Sequence, residues 1–288
     1  MFMKVIKVIK NVWKIICHPL LYMGVQVVVT LVYVFAAAIF YGFELAISGK
    51  GAQAEELTEA ILSRIDFKVP IILSAFVAFL IMFAILRKEW NANRLWNLKH
   101  FGPAVLFCLG LGFAMNIFTS CVLNLLPVRE YSSPLDNVMG SNAVFDFLAF
   151  ALFAPVLEEI VFRGIVQKRL TKTMNLHGAV FLQAFIFGFI HLDPIQSIYA
   201  FVLGVIIGYV YCWFDSIWFA SAIHVAFNGT TVLLLYTFGD SEVNLPYFLA
   251  VSVVLFAVSI VSLKVFAGNI KSIRSIRAKN KVYNRWRF

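Results

Sequence analysis

Glu158 and Glu159 in FAPVLEEIVFRG, His191 in FIFGFIHL, and His224 with Asn228 in ASAIHVAFNG stand inside apolar, helix-forming runs. Placing an ionisable side chain in a membrane segment costs about 2.5–3.5 kcal/mol on insertion scales. Such residues face the protein interior and mark function more often than packing. A carboxylate, two imidazoles and an amide are also the groups that activate water and hold an oxyanion. The chemistry they suggest is hydrolysis at a site inside a bilayer.

The elements that carry these residues follow from composition. The 288-residue chain is 61% hydrophobic and only 14% charged, with 30 Phe. A soluble domain is about 45–50% apolar and about 25% charged. The fold class expected is all-α, a polytopic membrane bundle. Eight segments are long enough to cross roughly 30 Å of hydrocarbon: 20–46, 69–86, 102–126, 143–166, 177–192, 195–213, 216–236 and 245–267. Asp193-Pro194 should end the fifth. Lipid requires each segment to satisfy its own backbone, so these are helices, and the alternating pattern of a barrel is absent. The chain divides into a basic interfacial segment (1–19), three spans with loops (20–142), a core (143–236), a last span (237–267) and a basic tail (268–288). Residues 49–68 can form at most a short amphipathic helix through Ala54, Leu57, Ile61, Leu62 and Ile65.

The net charge of +9 is sorted by side. Lys4, Lys7, Lys10 and Lys14 precede the first span. Arg87, Lys88, Arg94 and Lys99 follow the second. Arg163, Lys168, Arg169 and Lys172 surround the link between the fourth and fifth, and eight more Lys and Arg run from Lys264 to Arg287. With eight spans all of these fall on one face, and Glu55, Glu56, Glu59, Asp66, Glu130, Asp136, Asp240 and Glu242 fall on the other. The positive-inside rule then places both termini in the cytosol, at the plasma membrane. The tail begins directly after a spanning helix, so its partner is anionic lipid headgroups, not nucleic acid. Span one is too long for a cleaved signal peptide. Cys17, Cys108, Cys121 and Cys212 have no CxxC spacing, and no disulfide is expected.

Spacing gathers the polar residues. Glu159 and Arg163 are four apart on one helix face and can pair, which reads as structural. Glu158 is rotated by about 100° from Glu159 and addresses a different neighbour. The midpoint of the link KRLTKTMNLH lies near 174–175. Glu158 stands about sixteen residues before it and His191 about sixteen after, so two antiparallel helices bring them to one depth. Phe187 packs one turn before His191, and His224 and Asn228 share one face. Because the 163–172 hairpin is basic, the cavity is expected to open toward the cytosolic leaflet.

The three motifs EExxxR, FxxxH and HxxxN, in this order, resemble those of the CPBP family. These are the CAAX-protease and bacteriocin-processing membrane proteins, also called Abi proteins. The matching residues are Glu158, Glu159 and Arg163, then Phe187 and His191, then His224 and Asn228. The resemblance covers 143–236, and the remaining spans show no motif. It implies an intramembrane endopeptidase similar to type-II CAAX prenyl proteases, acting on a membrane-associated or lipidated protein or peptide. Glu158 would activate water with help from His191, His224 and Asn228 would stabilise the oxyanion, and Glu159 and Arg163 would hold the helix.

Two questions stay open at this stage. Glu158, His191 and His224 also make a known zinc ligand set. Against zinc, HExxH is absent and Asn228 suits an oxyanion better than a metal, so catalysis without a cofactor is favoured. The rival to a peptidase is a non-catalytic immunity or scaffold protein of the same family. A transporter is weaker, since no repeat relates the halves and the Gly204/Gly208 GxxxG reads as close helix packing.

Overall fold

The computed structural model describes residues 2–47, 54–66, 68–91, 101–126, 139, 142–238 and 244–285. Arg94, Lys99, Glu130, Asp136, Asp240 and Glu242 lie outside them. The described chain is helical, in a bundle whose outer faces are apolar. Its elements are α1 (Phe2–Ile47), α2 (Ala54–Leu62), α3 (Lys68–Asn91), α4 (Phe101–Leu125) and α5 (Ala143–Asp146). Then come α6 (Ala154–Val161), α7 (Lys168–Leu170), α8 (Leu176–Phe189), α9 (Pro194–Phe214), α10 (Ile217–Thr237) and α11 (Leu245–Arg285). No helix break sets off the basic N-terminal stretch; α1 runs through Pro19.

Among the described residues, five helices are long and apolar enough to cross a membrane: Ile15–Ile47, Ala104–Leu125, Pro194–Phe214, Ile217–Phe238 and Leu245–Asn269. The expected spans at 69–86 and 177–192 correspond to shorter apolar helices, Lys68–Ala84 and Leu176–Phe189. The expected span at 143–166 is a compound rod. Two π-helical segments, Phe147–Phe153 and Phe162–Gln167, alternate with α5, α6 and α7. Length alone therefore does not yield eight spans.

α10 is the central helix. In its most apolar stretch 56% of residues are buried, against none in that of α1, so α1 takes the lipid side. Val27, Leu31, Phe35 and Phe43 on α1 are exposed, as lipid contact requires. α4 lies against α10 at Gly112, where a Cβ would stand 2.2 Å from the Ile223 carbonyl oxygen. α8 and α9 form an antiparallel hairpin, and the expected GxxxG packing is realised there. A Cβ on Gly204 would sit 3.1 Å from that of Ala184, and one on Gly208 would sit 3.1 Å from Val180.

Local chemistry sets the two ends of the bundle. At one end the 171–175 turn carries Lys172, Asn175 caps α8 by accepting from the Gly178 amide (2.7 Å), and Arg169 donates to His18 of α1 (2.9 Å). At the other end Lys68 pairs with Asp146 at 2.9 Å, both side chains buried, and Tyr236 donates to the same carboxylate at 2.8 Å. This ties α3, α5 and α10 together.

Candidate active site

The compound rod presents Glu158 and Glu159 to different surroundings, as their rotation about the helix requires. Glu159 is fully buried. Its Oε1 accepts from Arg163 Nη1 at 2.8 Å and also from His224 Nδ1 at 2.8 Å. The Arg163 guanidinium lies over the Phe187 ring, 4.7 Å from its centroid, and reaches the Gly204 carbonyl at 3.4 Å. The expected Glu159–Arg163 pair is present, but it does more than hold its own helix. It grips an imidazole on α10, which local helix spacing cannot reveal.

Glu158 faces a cavity of about 360 Å³, within the usual range for small-ligand sites. Its side chain is 15% exposed, and its Oε2 lies 3.8 Å from His224 Nε2. The cavity wall also includes Phe150, Phe187, His191, Tyr199, Phe227 and Asn228. The structure thus brings Glu158, His191, His224 and Asn228 to one cavity, with Glu159 and Arg163 behind the wall.

His191 is placed differently from the expectation. It does not lie within a helix, because α8 ends at Phe189 and His191 sits in the turn that follows. Asp193 accepts from the Gln196 amide (2.7 Å) and Pro194 opens α9, so the chain must reverse before them. Leu192 takes φ 59° in that reversal. α8 has 14 residues, about 21 Å of rise, short of the roughly 30 Å of a bilayer core. Irregular backbone at membrane depth is tolerated where it lines a cavity, and this turn does.

Each imidazole is oriented through Nδ1. His191 Nδ1 meets the Phe187 carbonyl at 2.8 Å; a carbonyl only accepts, so Nδ1 carries the proton and Nε2 is free. His224 Nδ1 meets a carboxylate, and its Nε2 faces Glu158. Phe187 stands edge-on between them, 5.0 Å from the His191 ring and 5.7 Å from that of His224. Asn228 gives one amide N–H to the Phe150 carbonyl at 2.9 Å and keeps the second. That carbonyl lies in the first π-helical segment. Widening there loosens the regular backbone ladder, a recurrent feature of functional sites.

Two residues escaped the sequence reading. Tyr22 of α1 is 1% exposed and donates a long hydrogen bond (3.4 Å) to Glu158 Oε1. Gln26 donates to the Tyr22 oxygen at 2.8 Å and lines the cavity. The available signal was Gln26, an amide in an otherwise apolar helix. Among the described residues no three His, Cys, Asp or Glu side chains are gathered at metal-ligand distances, and Glu158, His191 and His224 line the same cavity. None of the four cysteines forms a disulfide.

Residues 140–230 match the model of the family described as "Type II CAAX prenyl endopeptidase Rce1-like". No curated protein and no solved structure matches the chain. The matched segment holds Glu158, Glu159, Arg163, Phe187, His191, His224 and Asn228, so the chain carries an Rce1-like domain over residues 140–230, consistent with the CAAX-protease family.

Proposed function

We propose that the cavity hydrolyses a peptide bond in a membrane-associated or lipidated substrate, using water activated by Glu158. The observation that carries this reading is the division of labour between adjacent glutamates. Glu158 faces the cavity beside His224, while Glu159 is buried behind the wall with its Oε1 held by Arg163 and His224. Glu158, assisted by Nε2 of His191, takes a proton from water as the oxygen attacks the carbonyl carbon. The oxyanion is held by the second N–H of Asn228 and by His224 Nε2. For that role Nε2 must carry a proton while Nδ1 stays against Glu159. Collapse breaks the C–N bond as Glu158 passes its proton to the departing nitrogen; the proton of the new carboxylic acid then goes to the released amine, leaving a carboxylate and an ammonium. All of these steps use the chain's own residues and no cofactor.

The protein's setting is the plasma membrane, with both termini cytosolic and the basic tail on anionic lipid. Comparative proteomics of membranes holding wild-type or Glu158→Gln protein tests the reading. One precursor should accumulate with the variant at equal expression. Indistinguishable membrane proteomes would favour the non-catalytic scaffold instead.

A further inference from the structure

The wall of the cavity extends toward the end of the bundle opposite the basic 171–175 turn. α10 starts at the end shared with the basic 171–175 turn, since α9, which precedes it, ends there; His177 of α8 meets Tyr209 of α9 at 2.7 Å. His224 is seven residues along α10, about 10 Å, and Tyr236 at the Lys68–Asp146 end is about 18 Å further. α4 runs beside α10, with Asn116 donating to Thr231 at 2.8 Å. Its next cavity residues, Thr119, Ser120 and Leu123, extend the wall about 4–10 Å toward the Lys68–Asp146 end. Ile71, one turn from Lys68, and Met139, in the 126–142 connection, complete it there. Toward the basic end the way is plugged: Arg163, Gln167, Gln183 and Phe187 are all fully buried.

The wall also has a chemical character. Asn116, Thr119 and Ser120 share one face of α4. Asn116 is 4% exposed, and its Oδ1 accepts no hydrogen bond among the described residues, so it calls for a donor. Among the described residues that line the cavity, Glu158 alone is an Asp, Glu, Lys or Arg, so none of them offers a cation to a phosphate headgroup. An extended peptide brings unpaired N–H and C=O groups that must be satisfied within a membrane. A hydrocarbon tail would leave the Asn116 carbonyl unpaired. We propose that the substrate enters as an extended, uncharged stretch of polypeptide from the membrane face opposite the basic termini, with Asn116, Thr119 and Ser120 pairing its backbone. This rests on the peptidase reading and on the positive-inside placement of the termini.

Side-specific thiol labelling in sealed vesicles tests the route. In full-length protein with Cys17, Cys108, Cys121 and Cys212 replaced by Ser, Ser120→Cys should react with a membrane-impermeant methanethiosulfonate from one face. The tail marker Ser272→Cys should react from the other. No reaction of Ser120→Cys from the face opposite Ser272→Cys overturns the route. Photo-crosslinking to the protein with its native cysteines tests the class. One probe is a single-span peptide with roughly ten neutral residues and a diazirine beyond its span; the other is a farnesylated diazirine tetrapeptide. The first should crosslink within 116–123, and Asn116→Leu or Thr119→Val should weaken this about fivefold, as for one lost hydrogen bond. Crosslinking of that wall by the farnesylated probe instead, or indifference to both variants, overturns the class. Neither assay needs bond cleavage, so a failed peptidase reading remains separable from a failed route.

Discussion

Glu158 and Glu159 are neighbours in the chain but belong to two regions built on opposite terms. Around Glu159 everything is closed: Arg163, His224, Phe187 and the close-packed α8–α9 hairpin leave no exposed surface. Around Glu158 the wall is partly open, and Tyr22 and His224 approach at 3.4 and 3.8 Å without saturating it. The closed region is a frame that fixes an imidazole; the open one keeps a carboxylate available. Identical side chains serve either purpose, and the closeness of their protein partners and their burial decide which.

The sharpest way to break this contrast is to exchange the effects of the two glutamates. Glu158→Ala should abolish cleavage of the accumulating precursor while leaving the thermal unfolding of the purified protein nearly unchanged. His191→Ala should be almost as severe. Unfolding of Glu158→Ala well below wild type would mean that Glu158 also belongs to the frame.

Arg163→Ala attacks the closed region. It strands Glu159 in a fully buried site at a cost of about 3–5 kcal/mol, so lost stability and expression should precede any specific loss of turnover. Normal stability with lost activity would instead assign Arg163 to the chemistry.

Asn228→Ala tests the oxyanion role within the open region. Loss of one such donor costs about 2.7–4 kcal/mol, so kcat should fall about 10²–10³-fold with slow turnover remaining. Full activity in this variant would remove Asn228 from the mechanism.

A smaller effect is expected of Tyr22→Phe. The hydroxyl bond to Glu158 is long, so its loss should cost about 0.5–1.5 kcal/mol, read as a several-fold drop in kcat with KM little changed. The smallest effect is expected of metal removal. Extended chelation should leave the purified protein active; activity lost to chelator and restored by stoichiometric zinc would make Glu158, His191 and His224 ligands.

The amino-acid sequence by itself determined the membrane bundle, because apolar runs of this length have no other stable form in lipid. It also singled out residues that the fold brings to one cavity, since polar side chains in such runs stand out, and helix periodicity separates Glu158 from Glu159 and joins Glu159 to Arg163. Local patterns could not decide what depends on contacts between distant segments. Tyr22 meets Glu158 across 136 residues, and Glu159 meets His224 across 65. No spacing rule reaches so far. The π-helical segments that free the Phe150 carbonyl for Asn228 are likewise a tertiary matter, because the sequence there reads as an ordinary apolar helix. The way into the cavity is a tertiary matter for the same reason. Depth along one hairpin says where Glu158 and His191 lie, but residues of other elements build the surroundings: Arg163, Gln167 and Gln183 are packed toward the basic end, and Thr119, Ser120 and Leu123 of α4 line the cavity toward the other.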